Sequence, residues 1–113
     1  MNRILLVVPV LAVLLGINSA HAEPLEVSTL ILKSDDSSAD IELSWSLDTR
    51  ASKYEVGCVS CGTGITEFST TDSVIFYNVT PFPNTQNALL YVIAYDYQEE
   101  IVNAKQILLD IIN

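Results

Sequence analysis

Between Ile41 and Asp48 the chain alternates without a break: Ile41, Leu43, Trp45 and Leu47 are interleaved with Glu42, Ser44, Ser46 and Asp48. Successive side chains of an extended strand point to opposite faces, so this pattern makes a ribbon with one apolar side and one wet side. A helix would scatter the same residues around its axis. Comparable runs follow in Tyr54, Val56 and Cys58, in Ile65 to Ser69, in Ile75, Tyr77 and Val79, in Leu89 to Tyr97, and in Lys105 to Ile112. Another precedes it, with Leu25 and Val27 and then Leu30-Ile31-Leu32, where a change of parity near Ser28-Thr29 predicts a kink or bulge. No stretch beyond Glu23 sustains a helical period.

The segments between these runs are rich in residues that break strands. Ser34 to Ser38, Asp48 to Ser52, Ser60 to Gly64, Thr70 to Ser73 and Gln98 to Glu100 read as turns. Pro81 to Asn87 holds two prolines, which cannot donate to a ladder, and reads as a crossover between sheets. Short strands at near-regular spacing with turns between them predict an all-β sandwich of about seven antiparallel strands. Its core is expected around Trp45, packed with Tyr54, Tyr77 and Val92.

These residues also resemble a family. Ile41-x-Leu43-Ser44-Trp45, Tyr54-x-Val56, Tyr77-x-Val79-x-x-Phe82-x-x-Asn84 and Leu90-x-Val92-x-Ala94-Tyr95-Asp96 are similar, in order and spacing, to the strand signatures of fibronectin type III domains. The resemblance spans nearly all of the chain after the first residues and implies an immunoglobulin-like sandwich. It departs at one point. Such domains usually open the penultimate strand with a tyrosine whose hydroxyl pins the crossover, and the matching residue here is Ala88. Either the register is shifted or the crossover is held another way.

The first residues predict the compartment. Met1-Asn2-Arg3 is a short basic head, Ile4 to Ile17 is uncharged and apolar, and Ala20-His21-Ala22 is a small-x-small cleavage pattern. The apolar run falls short of the roughly 20 residues that span hydrocarbon. Residues 1–22 are therefore expected to be a signal peptide cleaved after Ala22, leaving one domain from Glu23 to Asn113. The expected location is periplasmic or secreted, with no membrane insertion after cleavage.

Charge and residue inventory narrow the function. All fourteen acidic residues follow residue 22, against Lys33, Arg50, Lys53 and Lys105. Such a surface repels phosphate backbones and anionic lipid, so no nucleic-acid partner is expected. The one histidine, His21, lies in the expected signal peptide. Without imidazole there is no Ser-His-Asp or Cys-His arrangement and no histidine zinc site. No phosphate-binding or nucleophile-elbow motif is present. Asp35, Asp36 and Asp40, and Asp96, Glu99 and Glu100, match no calcium-loop grammar and read as solvated charge. Asn78-Val79-Thr80 has the form of a glycosylation sequon but falls within an expected strand, just before Pro81. A non-enzyme without cofactor or metal is expected.

Two features remain. Cys58-Val59-Ser60-Cys61 reads first as a disulfide stapling the turn that leaves its strand. A thioredoxin-like redox pair is the alternative, although no helical pattern follows the motif, and zinc would need further ligands. The other feature is aromatic. If Leu90, Val92 and Ala94 point inward, Tyr91, Ile93, Tyr95 and Tyr97 share the outer face of one sheet. They form either a binding surface for a protein or glycan partner in the cell envelope or outside the cell, or cross-strand packing. The expected function is a small exported binding module. The alternatives are a periplasmic thiol-disulfide protein using Cys58 and Cys61, and a strand-exchanging subunit of an assembly.

Overall fold

The computed structural model describes residues 24–62 and 65–112; the expected signal peptide and its cleavage point lie outside them. Seven strands appear in chain order: β1 (Val27–Ser34), β2 (Ala39–Trp45), β3 (Lys53–Cys58), β4 (Ile65–Ser69), β5 (Ser73–Val79), β6 (Asn87–Tyr95) and β7 (Ile101–Asp110). They form two antiparallel sheets, one ordered β1-β2-β5 and the other β4-β3-β6-β7. This is the expected all-β sandwich.

Alternation builds the core from the central strands. Ala39, Ile41, Leu43 and Trp45 of β2 are all buried, as are Tyr54, Val56 and Cys58 of β3 and Ala88, Leu90, Val92 and Ala94 of β6. With Leu25, Phe76, Val79 and Ile111 they make one cluster that joins the sheets. The Trp45 and Tyr54 rings meet across it at 5.4 Å between centroids. The Tyr54 hydroxyl also reaches the β2–β3 turn, where it accepts the Asp48 N–H at 2.7 Å.

Parity fails at β5, and with it the expected inward places of Ile75 and Tyr77. Tyr77 is 63% exposed, Ile75 is 37% exposed, and Phe76 takes the core position instead. The cause is a bulge. Ala39 pairs Val79 and Ile41 pairs Phe76, so Tyr77 and Asn78 together face the single Asp40. Asn78 adopts a left-handed φ of 60°, a conformation that asparagine accepts more readily than most residues. Its N–H donates to the Asp40 carboxylate at 3.0 Å. The extra residue brings Phe76 and Val79 to the same face although they are three apart.

Other expectations shift as well. Leu47 lies beyond the end of β2 and is exposed, because the strand stops at Trp45. The bulge in β1 sits at Leu32 rather than near Ser28-Thr29, since Ile31 pairs Ile41 while Lys33 pairs Asp40. Leu30, Ile31 and Leu32 are all exposed. Strands β6 and β7 also start and end earlier than the apolar runs indicated. Asp96 to Glu100 is a tight loop in which Glu99 is left-handed at φ 65° and the Asp96 N–H donates to the Glu100 carbonyl at 2.9 Å.

Polar ties fasten the loops. The Arg50 guanidinium forks onto Asp48 at 3.0 and 2.8 Å and also donates to the Val102 carbonyl, joining the β2–β3 turn to β7. Arg50, aided by Asn103, holds the Asp48 carboxyl at about 2, below the usual carboxylate range, against the opposing effect of burial. The β5–β6 crossover is tied by Ser60. Its hydroxyl donates to the Thr80 carbonyl at 2.8 Å and accepts the Leu89 N–H at 3.2 Å.

Candidate functional site

Because Tyr54, Val56 and Cys58 face the core, Lys53, Glu55 and Gly57 of β3 face outward. The β3–β6 register sets Lys53 opposite Tyr95, Glu55 opposite Ile93 and Gly57 opposite Tyr91. On one side β4 adds Phe68 beside Glu55 and Thr66 beside Gly57. On the other, β7 adds Ile101 beside Tyr95, Ala104 beside Ile93 and Leu108 beside Leu89.

Glu55 is the centre of this face. Tyr91 and Tyr95, the residues two before and two after Ile93, both lean diagonally onto it. Their hydroxyls donate to Oε2 and Oε1 respectively, each at 2.7 Å. The Tyr91 ring can lie there because Gly57 has no side chain: a Cβ on Gly57 would stand 2.3 Å from the Tyr91 Cζ. Burial, and then the hydrogen bond to Glu55 and its charge, push the Tyr95 hydroxyl up to about 12. Tyr91 is raised for the same leading reason, with a 3.4 Å contact to the Thr66 hydroxyl acting the other way. Both phenols therefore stay neutral donors to an anionic carboxylate.

Beside this clamp Lys53 bridges to Glu99 at 2.7 Å while its ammonium lies 5.2 Å from the Phe68 ring centroid and 5.7 Å from that of Tyr95. Around it the face is open, its exposed apolar residues interspersed with polar Thr66, Gln106 and Asp110. Phe68, Ile101 and Leu108 are each more than half exposed.

Of the outer-face residues singled out in the sequence, Tyr91, Ile93 and Tyr95 are brought together on the outer face, half-buried. Tyr97 is not one of this row. It lies past the end of β6, in the turn, and is 89% exposed. Lys105 pairs Val92 and so sits on the core side of β7. Asp110 pairs Asn87 on the outer side and accepts its amide N–H. Sequence reasoning passed over Glu55, Gly57 and Phe68. The glycine was the available signal, since a glycine inside a strand often marks the close approach of another group.

Cys58 and Cys61 form the expected disulfide, with Cα atoms 5.5 Å apart and both residues buried. The Cys61 N–H donates to the Cys58 sulfur at 3.1 Å. The bridge closes the turn that presents Ser60 to the crossover. Comparison with protein-family models, with curated proteins and with solved structures finds no match to this chain.

Proposed function

We propose that this chain is an exported, non-catalytic binding module of fibronectin type III type, which recognises a protein or glycan partner of the cell envelope or extracellular space. The observation that carries the reading is the outer face of the four-stranded sheet. There Glu55, Tyr91 and Tyr95 form a rigid platform flanked by exposed Phe68, Ile101 and Leu108. Rings held in place lose little entropy on binding, and the exposed apolar side chains beside them add contact area for a partner. The strand order β1-β2-β5 over β4-β3-β6-β7 supports the family reading, as does the buried Trp45 on the second strand. Ser60 supplies the tie to the crossover that the family usually draws from a tyrosine at the position of Ala88. The buried disulfide supports export, because such bonds persist in oxidising compartments.

The test is a photo-crosslinking amino acid placed at Phe68 or Ala104, on the face, and at Glu42, on the opposite sheet. Crosslinks in the native cell to one partner from the first two positions and none from the third support the reading. Equal labelling from all three, or none, ends it. The thiol-disulfide alternative is addressed by Cys58→Ala with Cys61→Ala. A binding module keeps its crosslinks in this variant, whereas a redox protein loses its function.

A further inference from the structure

The clamp on the outer face has a direction. The Tyr91 and Tyr95 hydroxyls both give their protons to Glu55, so towards a ligand these two oxygens can only accept. The Thr66 hydroxyl lies 3.4 Å from that of Tyr91, whose single proton is already committed, so Thr66 is the donor of that pair. Each Glu55 oxygen takes one phenol and keeps a further lone pair. Thr66, Tyr91, Glu55 and Tyr95 thus present acceptors and no donor. A sugar is a poor match, because each of its hydroxyls both donates and accepts. A guanidinium or ammonium group has donors alone and matches the clamp in full. Gln106, opposite Tyr91 on β7, carries an amide that does both, and it stands outside the clamp.

Charge points the same way. The acids on the strands of this face, Glu55 and Asp110, accept bonds from neutral groups, so no cation cancels them there. The loop beyond Tyr95 adds Asp96, Glu99 and Glu100. Of the four basic side chains among the described residues, Lys53 is bridged to Glu99 and Arg50 to Asp48. Lys33 lies on the other sheet, and Lys105 on the core side of β7.

The rings complete the match. A Cβ on Gly57 would stand 2.3 Å from the Tyr91 Cζ and 2.4 Å from both Cε2 and the hydroxyl oxygen, over the ring rather than beside it. One face of Tyr91 therefore lies on the strand, and the other is turned away from the sheet. The Lys53 ammonium, near both Phe68 and Tyr95, already places a cation against rings of this face. A guanidinium is planar, so it can stack on a ring while its edge donates to a carboxylate.

We propose, resting on the binding role already given to this face, that the partner is a protein which seats an arginine on Tyr91, its guanidinium donating to Glu55. Isotope-labelled protein purified from cells expressing the full chain tests this by magnetic resonance. N-acetylarginine amide should shift the backbone amide signals of Gly57, Tyr91 and Tyr95 in a saturable way. N-acetylcitrulline amide, similar in shape but uncharged, should not. Glu55→Gln should abolish the response with Trp45 fluorescence unchanged, whereas Glu42→Gln, on the opposite sheet, should leave it intact. The citrulline comparison uses the unaltered chain and stands even where Glu55→Gln does not fold. Equal responses to arginine and citrulline, or equal losses through both variants, would overturn the proposal. A response to chitotriose without one to arginine would also overturn it, while leaving the binding role in place with a glycan as partner. Silence towards both probes overturns the arginine site alone, and crosslinking in the cell from Phe68 and Ala104 then decides the binding role by itself.

Discussion

The Ser60 hydroxyl stands between the crossover and the strand it leads into, accepting the Leu89 N–H at 3.2 Å while donating to the Thr80 carbonyl at 2.8 Å. Ser60 is itself buried, and the disulfide turn holds it in place. One side chain thus satisfies a donor and an acceptor on two different segments.

Ser60→Ala would strand both groups. A buried polar group without a partner costs about 1–3 kcal/mol, so the variant is expected to lose at least about 2 kcal/mol. Urea denaturation measures this as a lower midpoint at unchanged slope. A loss below half a kcal/mol would mean that water replaces the hydroxyl and that the crossover does not depend on it.

Trp45 offers a sharper contrast. Its ring is buried against Tyr54, but its Nε1 has no hydrogen-bond partner. Trp45→Ala empties the centre of the sandwich and should cost about 3–5 kcal/mol. Trp45→Phe removes less volume and also removes the unsatisfied donor, so the two effects oppose each other and the net change should lie within about 1 kcal/mol. Thermal melts of both variants decide the matter. Equal losses from Phe and Ala would show that the indole nitrogen is solvated after all.

The tyrosine clamp predicts sensitivity to alkali. Tyr95 titrates at about 12 in the folded chain against 10.0 for a free phenol, through burial first and Glu55 second. A raised phenol means that the unfolded chain gives up its proton first. The stabilisation is whole below pH 10 and is lost as pH rises from about 10 towards 12. Ultraviolet titration of phenolate should show Tyr95 titrating late, with Tyr91 also shifted upward. Glu55→Gln should move Tyr95 down without returning it fully to the ordinary value, since burial remains. A full return would make the carboxylate, not burial, the leading cause.

How much of this was legible depends on whether a residue's role is local. The Ile41, Leu43, Trp45 alternation wrote β2 directly, and the Leu90, Val92, Ala94 set did the same for β6; both strands are central and keep parity throughout. Parity was lost where one residue left the extended conformation. Asn78 reverses every expectation before it in β5, and nothing in Val74 to Val79 announces a bulge when asparagine is equally at home in a turn. Leu30 to Leu32 marked a strand, but their exposure follows from its place at the edge of its sheet, which pairing sets and hydrophobicity does not reveal. The platform was half legible: the outward tyrosines followed from β6 alone, while Glu55 and Gly57 gain their meaning only from a register that pairs residues dozens of positions apart.

That register makes the relation between Gly57 and Tyr91 testable as a pair. A Cβ on Gly57 would meet the far end of the Tyr91 ring, 2.3 Å from Cζ and 2.4 Å from the hydroxyl oxygen. The backbone is not obstructed, so Gly57→Ala should be accommodated by displacing the ring rather than by unfolding the strand. The displaced ring forfeits its bond to Glu55 and its cover over the sheet, an expected loss of about 1–3 kcal/mol. With Tyr91→Ala already made, the same Gly57→Ala has nothing to displace. It should then be neutral or slightly stabilising, because alanine loses less chain entropy than glycine on folding. The double-mutant cycle therefore predicts a coupling of at least about 1 kcal/mol between two residues on adjacent strands. Additive effects would mean that Tyr91 does not rest on Gly57. The platform would then be a looser surface than its hydrogen bonds to Glu55 imply.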